Sequence, residues 1–419
     1  MASESLPSTP DVRYNWRCRC LIMATSTQVA TEVAVLPERQ AVSSAVPWYL
    51  WCVVAAVISV MIGGYWDISW HMSIGRDTFW TPAHMAIYFC GVLAGVSCGY
   101  LILSNTLAAA APEREASVQI WGFRAPLGAF ICAWGGLAML ASAPFDNWWH
   151  AAYGLDVKIF SPPHTVLDTG ILAIQIGGMV LIMGARNRAA GVLRDKLDRI
   201  FLFLGAMMVS LAMTVVWEYT YRVFLHSSRS YIAVSIVTPI LLVGAVRASG
   251  RRWAATVMAA IFSLYAMVLL WVFPLFPATS RLGPVYQHIT HFVPLEFPLL
   301  LIAPGVSLDL LGLAFPAWDR WNLWLQAAVV GAIFLATFVA VEWPFASFLL
   351  SSASHNWFFG THYFPYFEPP TSSAVLGRFA HTDKTVGAFW LGMAEAQVFA
   401  ILSARLGLAC GNWLRRLRR

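Results

Sequence analysis

The chain has 419 residues, of which 59% are hydrophobic and 11% charged, with a mean hydropathy of +0.65 and a formal net charge of +6. Soluble globular domains carry about 25% charged residues, so this composition excludes one and implies a lipid-embedded chain. The basic excess sits in short segments between apolar runs without any nucleic-acid-binding motif, so the expected partner is the lipid bilayer and no nucleic acid.

In chain order, residues 1–46 are polar and mixed, and read as a flexible cytoplasmic N-terminal tail. The first apolar run starts late and is as long as a full span, which argues against a removable signal peptide. A bilayer core takes about 20 apolar residues per helix. Ten runs qualify: 47–66, 81–103, 124–145, 162–185, 200–220, 231–247, 253–274, 289–311, 322–342 and 385–409. Backbone groups find no water in lipid, which forces such runs into helices. The expected fold class is therefore all-α: a polytopic integral membrane helical bundle of about ten transmembrane helices, with two repeated helical pairs in its N-terminal half. Residues 47–185 would hold the four-helix repeat region with two outer-face metal motifs. Residues 186–410 would form a six-helix membrane region with a long outer loop at 343–384, and 411–419 a basic cytoplasmic tail.

Charge placement sets the expected orientation. Arg186, Arg188, Arg194, Lys196 and Arg199 crowd one loop, Arg247, Arg251 and Arg252 another, and Arg415, Arg416, Arg418 and Arg419 the tail. Short loops rich in Lys and Arg stay cytoplasmic. That predicts a multi-pass protein of the cell (inner) membrane with cytoplasmic N- and C-termini, and it places all ten histidines in outer loops or at outer span ends. The seven cysteines lie in the tail or in spans, so no disulfide framework is implied, and Cys18-x-Cys20 is a weak soft-metal signal.

One stretch occurs twice. Residues 65–87 read YWDISWHMSIGRDTFWTPAHMAI and residues 145–166 read FDNWWHAAYGLDVKIFSPPHTV; both share Asp-x-x-Trp-His-x-x-x-Gly-x-Asp followed by Pro and His. If the first helix of each pair continues past its apolar run, Asp67 and His71, and likewise Asp146 and His150, are i and i+4 on one helical face. His84 and His164 then enter from the first turn of the next helix. Each copy so assembles one carboxylate and two imidazoles at the outer membrane boundary. That donor set suits copper, zinc, iron or nickel, and the absence of thiolate argues against a structural zinc site. Copper is favoured as the expected ion, with zinc or iron not excluded, because it heads the affinity series and is met outside the cytoplasm. Asp77 and Asp156 are candidates for holding the imidazole N–H groups. Asp168, four residues past His164, could orient that ring, since an acid inside a span is costly and usually functional.

The first copy closely resembles the signature of the C subunit of the particulate methane and ammonia monooxygenases, the copper membrane monooxygenase family. The match covers the Asp-x3-His-x12-His pattern, the Arg-Asp-Thr stretch and the Thr-Pro-x-His turn, at Asp67, His71, Arg76, Asp77, Thr78, Thr81, Pro82 and His84. A second family site, Asn-x3-His-x13-His, is matched by His150 and His164, with Asp146 replacing the family's Asn. The resemblance spans about residues 47–185 and is that of a distant relative. It implies copper at both sites, oxygen activation toward a small apolar substrate or ammonia, and other monooxygenase-type subunits or an electron donor as partners.

Weaker metal candidates are His288 and His291, i and i+3 at the mouth of the eighth run, with Glu296 beyond them. His355 and His362 lie in an aromatic loop able to cover the outer sites. Glu218, Glu342 and Glu395 sit in or near spans, where Glu218 and Glu342 read as snorkelling at span ends. A non-catalytic metal-binding or metal-transport protein uses the same ligands, as does an assembly subunit, and the sequence leaves those readings open beside the oxidase.

Overall fold

The computed structural model describes residues 45–111, 113–154, 160–220, 226–315, 318–369 and 383–418. Among them, nine helices are long and apolar enough to cross a membrane. In chain order these are α1 (Trp48–Ser73), α2 (Pro82–Leu107), α3 (Leu127–Tyr153), α4 (Pro162–Arg188), α5 (Gly191–Thr220), α6 (Ser228–Ser249) and α7 (Ala254–Val272). A tenth, short helix α8 (Ile302–Ala314) follows, then α9 (Leu323–Leu349) and α10 (Val386–Arg416). The only described strands, β1 (Val118–Ile120) and β2 (Phe123–Ala125), form an antiparallel hairpin. The chain is thus an all-α polytopic bundle.

Two features of the helices differ from the apolar runs that announce them. Helices α1 and α3 overrun their runs by about two turns, and the added turns carry Asp67 and His71, and Asp146 and His150. The basic stretch 186–199 is almost entirely helical, because α4 and α5 are separated only by residues 189 and 190.

The eighth run, 289–311, is not one continuous helix. Pro294 and Pro298 remove two backbone N–H donors and clash with a helical turn, so residues 292–300 carry no regular secondary structure and α8 begins only at Ile302. Irregular backbone at membrane depth is tolerated where protein surrounds it, and here Phe292, Val293, Leu295, Leu299 and Leu301 are buried. Neighbouring helices supply the missing hydrogen bonds. The Val293 N–H donates to Ser73 Oγ at 2.7 Å, Ser69 Oγ donates to the Val293 carbonyl at 2.7 Å, and the Leu300 N–H donates to Glu342 Oε2 at 2.8 Å. Glu342 is 1% exposed and lies within α9, so it does not snorkel.

Close helix approach is bought with small residues. A Cβ on Gly135 of α3 would stand 2.7 Å from the Gly170 carbonyl of α4, and one on Gly136 2.7 Å from the Gly91 carbonyl of α2. In α6, Pro239 interrupts the ladder, and Ser403 of α10 inserts into the next bond. The Ile240 N–H donates to Ser403 Oγ at 2.9 Å, which in turn donates to the Ile236 carbonyl at 2.8 Å. At the basic end, Arg186 of α4 pairs with Asp198 of α5 at 2.8 Å and donates to the Ser249 carbonyl of α6 at 2.6 Å.

Candidate metal centres

Each centre is built from the last turns of one helix and the first turn of the next. Pro82 and Pro162 open α2 and α4, where a missing N–H costs nothing and the fixed φ suits a helix start. His84 and His164 then both fall on the third helical residue. At the second centre, Ser161 caps α4 by accepting the His164 N–H at 3.4 Å. At the first, Thr81 does not cap α2. Its hydroxyl accepts the Thr78 N–H at 2.8 Å, and the Thr78 carbonyl faces His84 Nδ1 at 2.9 Å. A carbonyl can only accept, so Nδ1 carries the proton and Nε2 is left as the ligand atom.

In the first centre, Asp67 Oδ1 lies 3.1 Å from His84 Nε2 and Asp67 Oδ2 lies 3.8 Å from His71 Nε2. In the second, Asp146 stands 3.4 Å from both His150 Nε2 and His164 Nε2. In each trio the ligand atoms all lie within 4.8 Å of one another. Two readings compete, an Asp–His ion pair and a metal site. A charge-assisted N–H···O bond is about 2.7–2.9 Å long, and every separation here exceeds that. Donors about 2.0–2.2 Å from one tetrahedral ion stand about 3.3–3.5 Å apart, which matches both 3.4 Å separations of the second centre and lies between the 3.1 and 3.8 Å of the first. Asp67 Oδ1 and Asp146 Oδ1 are both buried with no hydrogen-bond partner among the described residues. Orphaned carboxylate oxygens aimed at imidazole nitrogens fit a cation, so both trios can hold a metal ion.

The other sequence candidates fall out unevenly. Asp77 does not reach the far side of the imidazoles. Its Oδ2 is 3.6 Å from Nε2 of both His71 and His84, and its side chain is 7% exposed, so it faces the same point as Asp67. Gly75, at φ +81, makes the turn that returns the chain to this position. Asp156 lies outside the described residues, as does His381. Asp168 shares a cavity wall with His164, and its Oδ2 is buried without a hydrogen-bond partner. His288, His291 and Glu296 do not assemble into a third centre among the described residues. His288 is exposed, and His291 packs edge-on against Tyr363 at 5.1 Å. The side chain of Glu218 is outside the described set.

A cavity of about 510 Å3 reaches both centres, with Asp67 and His71 of the first and His164 of the second in its wall. The rest is mainly apolar, including Val60, Ile87, Leu167, Ile171 and Leu211. A smaller space of about 30 Å3, lined by Asp67, His84, Asp146, His164 and Tyr88, lies between the two trios. Tyr366, Phe367 and Leu282 cover part of the large cavity from the loops. The aromatic loop expected to cover the outer sites does reach this cavity, through Tyr366 and Phe367 at its end and not through His355 or His362. Backbone bonds fasten the cover: Tyr366 N–H to the Met72 carbonyl at 3.2 Å, Arg281 N–H to Ile74 at 2.9 Å, and Tyr286 N–H to Tyr366 at 2.8 Å. A Cβ on Gly75 would run into the Tyr366 hydroxyl.

Comparison with protein families, with curated proteins and with solved structures gave no match for this chain.

Proposed function

We propose that this chain is a membrane copper oxidase of the copper membrane monooxygenase type, acting on an apolar molecule held in the cavity beside its two metal centres. What supports the reading is the junction of that cavity with both trios: apart from Asp168, Thr214 and Tyr366, the walls that present Asp67, His71 and His164 are apolar. A transport path would need polar groups beyond the centres, whereas these walls suit a lipid-dissolved substrate. At about 510 Å3 the cavity is in the range of pockets for ligands of many atoms, so it has room for an apolar molecule larger than ammonia.

In this reading Asp67, His71 and His84, with Asp77 facing the same point, hold one ion, and Asp146, His150 and His164 hold the other. Bound copper supplies the redox chemistry and, where the protein donors leave a position open, a place for oxygen. The imidazoles bind as neutral rings, which the Thr78 carbonyl enforces at His84 by keeping Nδ1 protonated. Tyr366, Phe367 and Leu282 narrow the cavity from the loop side, and Asp168 Oδ2 is the wall atom able to hold a proton without being a ligand. The chain carries no visible electron-entry motif, so an electron donor or companion subunits complete the system.

The test is elemental analysis and oxygen uptake on the protein purified from its membrane. One copper per trio is expected, with one lost in His71→Ala and both lost in the His71→Ala, His150→Ala double variant. Oxygen uptake should require an apolar substrate and reductant. Full metal retention in the double variant would sink the reading. Metal passage into liposomes without oxygen use would select the transporter instead.

A further inference from the structure

The large cavity holds one acid that belongs to neither trio. Asp168 stands in its wall on α4, one turn deeper than His164 on the same helical face. Its Oδ2 is buried and has no hydrogen-bond partner among the described residues. A buried carboxyl group left without a partner is costly, and the cavity is the side from which a partner can arrive. Taking that space as the substrate site proposed above, we infer that the molecule it holds is a long-chain alcohol, with its hydroxyl bound by Asp168 and its hydrocarbon tail laid along α1.

The other polar groups described in the wall are engaged or lie elsewhere. Asp67, His71 and His164 belong to the trios. Thr214 Oγ1 donates to the Ser210 carbonyl at 3.1 Å, and the Tyr366 hydroxyl sits over Gly75 at the loop end. A hydroxyl suits Asp168 because it both donates and accepts, and so satisfies the acid whether charged or protonated. An ammonium only donates and would have to arrive through lipid as a cation. A carbonyl only accepts, and a carboxylate would add a negative charge beside Asp168. The tail has its own track. Val60, Met61, Gly64, Ile68 and Met72 recur along one face of α1, with Ile171 of α4 and Leu211 of α5 in the same wall. From Val60 to Met72 the helix rises about 18 Å, room for an extended alkyl chain. A Cβ on Gly64 would meet nothing within 4 Å, so this stretch of α1 borders open space.

Photolabelling of the full-length protein in phosphatidylcholine nanodiscs tests this, with a diazirine analogue of 1-dodecanol as probe and metal content measured in parallel. Label is expected in residues 60–72 or 164–171. Free 1-dodecanol should displace it about tenfold better than dodecane, the effect of one hydrogen bond to a charged group. Asp168→Leu should abolish that preference while dodecane still competes, and Asp168→Asn, which can still donate and accept, should retain most of it. Gly64→Leu fills the slot without touching an acid and should block labelling with metal content unchanged, which separates occupancy from misfolding. Equal competition by dodecane, stronger competition by dodecylamine or dodecanoate, or an unchanged preference in Asp168→Leu would overturn the inference. Protein that lacks copper yet prefers the alcohol fails the oxidase reading alone, whereas copper-loaded protein without the preference fails this one alone.

Discussion

Asp77 stands where the fourth donor of a tetrahedral site would stand, equidistant from the two ligand nitrogens of the first centre. Asp77→Asn should lower metal affinity at that centre by roughly 10–100-fold, the effect of losing a supporting carboxylate at a metal site, and leave the second centre unchanged. Titration with a competing chelator reads both. Gly75 has φ +81 and faces the Tyr366 hydroxyl. Gly75→Ala should destabilise the protein by about 1–2 kcal/mol from backbone conformation alone, seen as a lower thermal midpoint in detergent, and should loosen the cover over the cavity. His362 offers a pH test. Burial holds it below the ordinary histidine range, helped by His291 and His355 and opposed by a backbone hydrogen bond at Asn356. Its folded form is thus the weaker proton binder, and its contribution to stability is present above the ordinary histidine pKa and is lost as pH falls. Hydrogen exchange in residues 355–367 should rise on acidification, and His362→Gln should flatten that rise.

Serines do different work at two helix contacts. Val293 N–H has Ser73 Oγ as its acceptor in a buried, irregular segment, so Ser73→Ala leaves a donor with no replacement, at about 1–3 kcal/mol. Ser403→Ala breaks a bridge inside α6, but the Ile240 N–H and Ile236 carbonyl can then meet each other. A cost near 0.6 kcal/mol, typical for interhelical bonds in membranes, is expected there, and thermal unfolding of the two variants should rank them so. The nine long helices were legible because their apolar runs match the thickness of lipid. So were the i, i+4 spacing of Asp67 with His71 and of Asp146 with His150, and the Pro-opened helices that bring in His84 and His164. The break in the eighth run is not legible from hydropathy, because the apolar residues around Pro294 and Pro298 keep the run apolar while the missing donors leave no mark on it. The covering loop was legible from its aromatic residues, but not that Tyr366 is the one that reaches the cavity, because that follows from contacts with Met72 and Tyr286 that are far away in sequence.

Both centres and the cover formed by residues 281–287 and 366–367 gather at one end of the bundle, while Arg186, Arg251 and Arg415 gather at the other. If loops rich in arginine stay cytoplasmic, a cysteine placed at Trp357 in a chain cleared of its own cysteines should react with a membrane-impermeant reagent in intact cells. One placed at Leu417 should react only after lysis, and the reverse pattern would invert the proposed orientation. The apolar cavity near the centres and the irregular segment 292–300 share a property: neither is made by a single hairpin.

That segment bears on how the protein comes to exist. Residues 292–301 satisfy their backbone partly through Ser69 and Ser73, made early, and partly through Glu342, made late. Until α9 leaves the ribosome the Leu300 N–H has no acceptor, and lipid provides none. The nascent chain must therefore keep this stretch out of the hydrocarbon, in the insertion machinery or in water, and settle it last. Fragments truncated before residue 323 should be inserted through α7 and then cleared by quality-control proteases, and pulse-chase of such fragments would show the half-life jump once α9 is included.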